Sequence, residues 1–130
     1  MNRPPVSVAG AVELLMLFLG QRMRMSVEGE SMTPALHHGD TILVDRSAYR
    51  KDQPIPGDVV VTRHPFRTDV VIVKRVTAVN EDGALVVRGD NPKHSSDSES
   101  LGPIPALHLI GQVTSYRPRK TDGSTPSPRW

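Results

Sequence analysis

The sequence contains no cysteine. Disulfides, thiolate metal sites and a cysteine nucleophile are thereby excluded, while the cellular compartment stays open. Aromatic residues are scarce as well, at 4%, against 37% apolar residues overall. A core must therefore come from valine, leucine, isoleucine and alanine. Valine clusters in short runs, which favours strands. Charge of one sign is not in large excess: the formal net charge is +2 and the pI about 9.3. Arginine and lysine are scattered, with one basic run from Arg117 to Lys120, and are not interleaved with aromatics. That pattern does not support nucleic-acid binding. The 130 residues suit one small domain.

A long hydrophobic run is missing too. Val6 to Gly20 reads VSVAGAVELLMLFLG, interrupted by Glu13. A bilayer span needs about 20 apolar residues. Arg3 precedes the run as in a signal peptide, but Gln21, Arg22 and Arg24 follow it where small residues would mark a cleavage site. Residues 1–22 are read as an N-terminal apolar helix, which packs on the domain or associates with a membrane surface through residues 6–20. Cytoplasmic and membrane-associated locations both stay open.

Downstream, short apolar runs alternate with turn residues. Met23 to Glu28, Thr41 to Asp45, Asp58 to Arg63, Val70 to Val79, Ala84 to Arg88 and Leu109 to Tyr116 read as strands. Glu81-Asp82-Gly83 is a hairpin signal. Gly89 to Gly102 reads as a polar loop, Pro103 to His108 as holding one helical turn, and Arg117 to Trp130 as a disordered tail. The fold expected is mostly β, a small barrel or folded sheet spanning residues 23–116 with a short N-terminal helix.

Three places could carry chemistry. Ser31 lies in Gly29-Glu30-Ser31-Met32-Thr33-Pro34, where Pro34 suggests a turn opening a short helical segment. It is either a helix N-cap or a nucleophile, with nearby backbone N–H groups available to an oxyanion. Lys74 lies in Val70-Val71-Ile72-Val73-Lys74-Arg75-Val76. With a strand period of two it shares a face with Val70, Ile72 and Val76, and Arg75 takes the other face. It either snorkels to water or is buried, where the ammonium form is disfavoured and a neutral amine can act as a base. Arginine cannot do this. In Gly89 to Ser98, the dense Ser, Asp and Asn side chains either satisfy their own loop or let Ser95 orient the lysine while Asp97 pairs with a cation. His37, His38, His64, His94 and His108 are alternative bases, but none has a signature context or a zinc-ligand spacing.

Taken in order, Gly29-x-Ser31-Met32-x-Pro34-x-Leu36, Gly39-Asp40, Lys74-Arg75-Val76 and Gly89-Asp90-Asn91 to Ser98 resemble the type I signal peptidases. The resemblance covers residues 23–113. It implies a β-rich catalytic domain that needs no metal or other cofactor. It also implies Ser31 as nucleophile, Lys74 as general base, Ser95 as the residue positioning the lysine, and the Ser31 N–H in the oxyanion hole. The short stretch from Lys74 to Gly89 leaves no room for the large extra domain of some members. Glu99 stands where the family usually has arginine, so Asp97 loses that partner, and Arg75 is the candidate to replace it. Gly29 stands where some members carry a second hydroxyl for the oxyanion.

Arg63-His64-Pro65-Phe66 before the lysine strand and Gly89-Asp90-Asn91-Pro92 after it resemble, within that family, nickel-type superoxide dismutase maturation proteases. The substrate so implied is a precursor polypeptide, the nickel dismutase precursor, cut to free its N-terminus. A general signal peptidase acting on secretory precursors is the first alternative. A non-catalytic β domain or a self-cleaving Ser–Lys regulator is the second.

Overall fold

The computed structural model describes residues 6–94 and 101–119. Along them run β1 (Ser7–Val8), α1 (Ala11–Phe18), β2 (Met23–Ser26), β3 (Thr41–Asp45), β4 (Val59–Arg63), β5 (Val71–Val79), β6 (Leu85–Arg88) and β7 (Leu109–Arg117). Single 3-10 turns occur at Pro92–His94 and Ala106–His108. The strands form a seven-stranded sheet in the order β2-β3-β7-β4-β5-β6, with β1 beside β7. Every pairing is antiparallel except β1 with β7. The mostly-β fold expected from the valine runs is the one observed.

β4 explains why valine dominates. Val59 and Val61 face one buried cluster, with Met32, Leu36, Ile42 and Val44. Val60 faces a second, with Val76, Leu85, Val87 and Ile104. A strand covered on both faces needs no polar alternation, so Val-Val-Val-Thr is buried throughout. β3 and β7 approach so closely at Gly111 that an added Cβ would lie 2.7 Å from the Asp45 carbonyl oxygen. Only glycine fits there.

Two expectations need correction. The helix expected over residues 1–22 covers, among the described residues, only Ala11–Phe18. Ser7–Val8 instead pair with Ser115 and Tyr116, and Ala9 N–H donates to the Tyr116 carbonyl at 2.7 Å. β7 outruns β4 on that edge, and its unpaired backbone groups capture the segment; extended Gly10 then separates strand from helix. Nor does Ser31 open a helix. Residues 31–35 are turns, closed by bonds from Thr33 N–H to the Glu30 carbonyl at 3.2 Å and from Leu36 N–H to the Met32 carbonyl at 2.9 Å. Pro34 has no N–H to continue a helix, and the Asp40 carboxylate takes the His37 N–H at 2.9 Å. The chain thus folds Met32 and Leu36 into the core and returns as β3.

Candidate active site

Ser31 follows a sharp reversal at Gly29, whose φ is +80°. Glycine accepts that backbone conformation without cost. The Gly29 N–H donates to His38 Nδ1 at 2.9 Å. The loop is pinned into the core by Met32, which is 1% exposed, and Leu36, which is fully buried. Thr33 Oγ1 donates back to the Glu30 carbonyl at 2.9 Å. Ser31 caps no helix. Its N–H and hydroxyl take no partner among the described residues, and its carbonyl accepts the Asn91 N–H at 2.8 Å.

Lys74 lies in β5 opposite Val60 of β4. Ile72 and Val76, two residues to either side, both pack in the second cluster. Lys74 is 6% exposed, on the strand face it shares with Ile72 and Val76. Arg75 takes the opposite face, across from Val59. Its Nε and Nη2 each donate to the Asp90 carboxylate at 2.8 Å, and its Nη1 donates to the Gly57 carbonyl at 2.9 Å. The Asp90 hydrogen bonds raise the Arg75 pKa; burial works against them, and the Asp90 charge adds to them. Arg75, offered from the sequence as a partner for Asp97, is thus taken up by Asp90. Ser95 and Asp97 lie outside the described residues, as does Glu99.

The segment after β6 joins the two halves. Arg88 pairs with Arg75 across the β5–β6 ladder, and two residues on, Asp90 neutralises Arg75. Next to it, Asn91 holds the Ser31 carbonyl through its N–H, and its Nδ2 donates to Thr33 Oγ1 at 2.7 Å. The Ser31 loop and the Lys74-Arg75 strand are therefore fastened to consecutive residues of one connector.

Sequence reasoning gave no role to three carboxylates that organise the site. Asp90 needed the hairpin register. Buried Asp58 accepts the Tyr49 hydroxyl at 2.8 Å and the Ile55 N–H at 3.1 Å, shaping the turn that bonds β5 at Val76. Buried Asp40 accepts the His37 N–H through one oxygen and the Arg119 N–H through the other. For these two, the Gly-Asp pairs ahead of strands were the signal. Two of the histidines serve turns: His64 Nδ1 accepts from the Phe66 and Arg67 N–H groups, and His38 Nδ1 accepts from Gly29 N–H. Among the described residues no cluster of three or more His, Asp or Glu could hold a metal.

An open groove of about 1210 Å³ is lined by Met23 and Met25 of β2 and by Val71 of β5, the strand that carries Lys74. β2 ends the sheet order, and β6 pairs with β5 only from Arg75 onward. Among the described residues, no strand pairs with the outer edge of β2 or with β5 over residues 71–73 on its β6 side. α1 is fixed by Glu13, which accepts hydrogen bonds from Thr114 and Ser115 of β7 and two from Arg22. Its apolar side chains Val12, Leu15 and Phe18 are exposed. No helix among the described residues is long and apolar enough to cross a membrane.

The family model "Signal peptidase, peptidase S26" matches residues 5–83, a span that holds both Ser31 and Lys74. The mitochondrial ATP-independent inner membrane protease subunit 1b of Arabidopsis thaliana is 32% identical over 107 residues, covering 65% of this chain and 63% of that protein. The mitochondrial inner membrane protease subunit 1 of Xenopus tropicalis is 28% identical over 104 residues, covering 65% and 62%. Signal peptidase I of Aquifex aeolicus is 32% identical over 71 residues, covering 53% and 28%. The chain therefore spans less than two thirds of the length of these relatives. It belongs to the signal peptidase family, peptidase S26.

Proposed function

We propose that the chain is a serine endopeptidase that removes an N-terminal extension from a precursor protein, with Ser31 as nucleophile and Lys74 as general base. The observation that carries this reading is the burial of Lys74 to 6% exposure among apolar side chains. Burial in general disfavours the charged form of a lysine, and a neutral amine can take the proton of a serine. The Ser31 oxygen attacks the scissile carbonyl, and the Ser31 N–H stabilises the oxyanion. The Lys74 ammonium then protonates the departing amine. Water, deprotonated by Lys74, hydrolyses the ester and restores the serine hydroxyl. Ser95 would orient the lysine amine. The substrate lies extended along an unpaired strand edge, adding backbone hydrogen bonds as a further strand would.

The substrate we favour is the nickel-type superoxide dismutase precursor, on the strength of Arg63-His64-Pro65-Phe66 and Gly89-Asp90-Asn91-Pro92. A general signal peptidase acting on secretory precursors fits the family equally. Incubating the protein separately with a nickel dismutase precursor and a secretory precursor, then reading each product's N-terminus by mass spectrometry, decides between them. The first reading expects one new N-terminus in the dismutase alone. Cleavage of the secretory precursor alone reverses it.

Membrane-surface association through α1 is part of this reading, supported by its outward apolar side chains and by relatives named as inner membrane proteases. Replacing Leu15 and Phe18 by glutamate is expected to lower co-sedimentation with lipid vesicles severalfold while leaving the melting temperature unchanged, since both side chains are exposed. Unchanged co-sedimentation would remove α1 from the account.

A further inference from the structure

The groove is lined by Arg22, Arg46, Arg50 and Arg63, and the sole acidic side chain on its wall among the described residues is Asp45. Arg22 is taken up by Glu13 at 3.1 Å and by Asp45 at 3.7 Å. Arg63 donates to the Thr68 carbonyl, which does not neutralise it. Arg46 and Arg50 are exposed and form no ion pair among the described residues. The groove therefore carries uncompensated positive charge above an apolar floor of Met23, Met25 and Ile110.

The topology says where that charge lies relative to the chemistry. β2 is antiparallel to β3, β3 to β7, β7 to β4 and β4 to β5, so β2 and β5 run in the same direction. β2 runs toward the loop that carries Ser31, and β5 runs toward Lys74. Arg22 immediately precedes β2, and Arg63 pairs with Val71 at the start of β5. The arginines thus mark the end where both strands begin, away from the reacting groups. At about 3.3 Å per residue, Val71 lies about 10 Å from Lys74 along the strand. An extended peptide along these edges places side chains about three to six residues from the scissile bond beside the arginines.

We propose that this end of the groove is a specificity subsite for an acidic side chain of the substrate, three to six residues from the scissile bond, selected by Arg46, Arg50 and Arg63. The proposal rests on the peptidase reading above. Aspartate or glutamate is the matching chemistry, because a guanidinium offers a carboxylate two parallel hydrogen bonds. A basic residue at the same position is repelled. The arginines lie far from the scissile carbonyl, so they bind ground state and transition state alike and act on KM more than on kcat.

The test uses internally quenched peptides with an all-alanine scissile segment. Each carries Glu, Gln or Lys at one position, three to six residues from the cut on either side. Cleavage is followed with the wild-type chain and with the Arg46→Gln/Arg50→Gln variant. Binding is followed in parallel by fluorescence anisotropy on Ser31→Ala. The expected result is a preference for Glu over Gln of about tenfold at positions on one side of the cut, expressed in KM. It should shrink toward one in the double variant and at high salt, and the same order should appear in binding. Cleavage without a Glu preference overturns the subsite and leaves the peptidase reading intact. Absent cleavage with a Glu preference in binding sinks the catalytic reading and keeps the acidic subsite. If the double variant loses affinity for phosphatidylglycerol vesicles while its Glu-to-Gln ratio stays at the wild-type value, the arginines serve a membrane and the proposal fails.

Discussion

Lys74 and Arg75 are adjacent cations with opposite fates, decided by strand parity. Lys74 points into the second cluster at 6% exposure, and Arg75 points to a carboxylate that holds both ends of its guanidinium fork. The exchange Lys→Arg at 74 would bury a group that cannot lose its proton. The Asp90 pair is part-exposed, with side chains at 34% and 20%, so its contribution is modest. Asp90→Asn is expected to cost about 1 kcal/mol in urea denaturation, after discounting a charged hydrogen-bonded pair for solvent screening. Its larger effect should fall on kcat, because Asn91 beside it holds the Ser31 carbonyl. Loss of stability with unchanged kcat would separate the ion pair from the site. Ser31 and Lys74 could be singled out in the sequence because their boxes are local. Asp90 could not be matched to Arg75, since that contact depends on which residues the β5–β6 hairpin brings opposite one another.

Among the elements, α1 turns its one charged residue to the sheet while Val12, Leu15 and Phe18 face outward. The apolar run was visible in the sequence, but the orientation depends on Thr114 and Ser115, residues at the far end of the chain that cluster around Glu13. Burial alone would raise the Glu13 pKa, but the hydrogen bonds from Thr114, Arg22 and Ser115 and the charge of Arg22 outweigh it, so the net shift is downward. A lowered carboxylate pKa stabilises the folded state above the ordinary glutamate range, near about 4.3. That contribution is lost as pH falls through the lowered folded value. Protection factors of the α1 amides, taken relative to the intrinsic exchange rate at each pH, are therefore expected to fall in acid below that range, and Glu13→Gln should abolish this fall. Protection in α1 that stays constant down to the onset of global unfolding would refute the anchoring role. β1 was missed for a related reason. Its two residues have no strand signal of their own and are ordered by the free edge of β7.

For the whole molecule, the valine runs announced the strands but not their order. β7, the last strand in the sequence, lies inside the sheet between β3 and β4, and this placement makes β2 and β5 parallel across the groove. Two long-range consequences follow, neither periodic in sequence: the loop bearing Ser31 and the strand bearing Lys74 are tied to one connector, and Met23 and Met25 of β2 line one groove with Val71 of β5. The account stands or falls on whether those two side chains act together on a peptide bond. The most direct measurement is the single-turnover cleavage rate of a precursor by the wild-type chain, Ser31→Ala and Lys74→Met, with circular dichroism on each. Methionine fills the lysine's space without its amine. Both variants are expected to keep the wild-type fold and to lose on the order of 10⁴-fold or more in rate. A folded variant of either kind that cleaves within about tenfold of wild type would contradict the Ser–Lys mechanism.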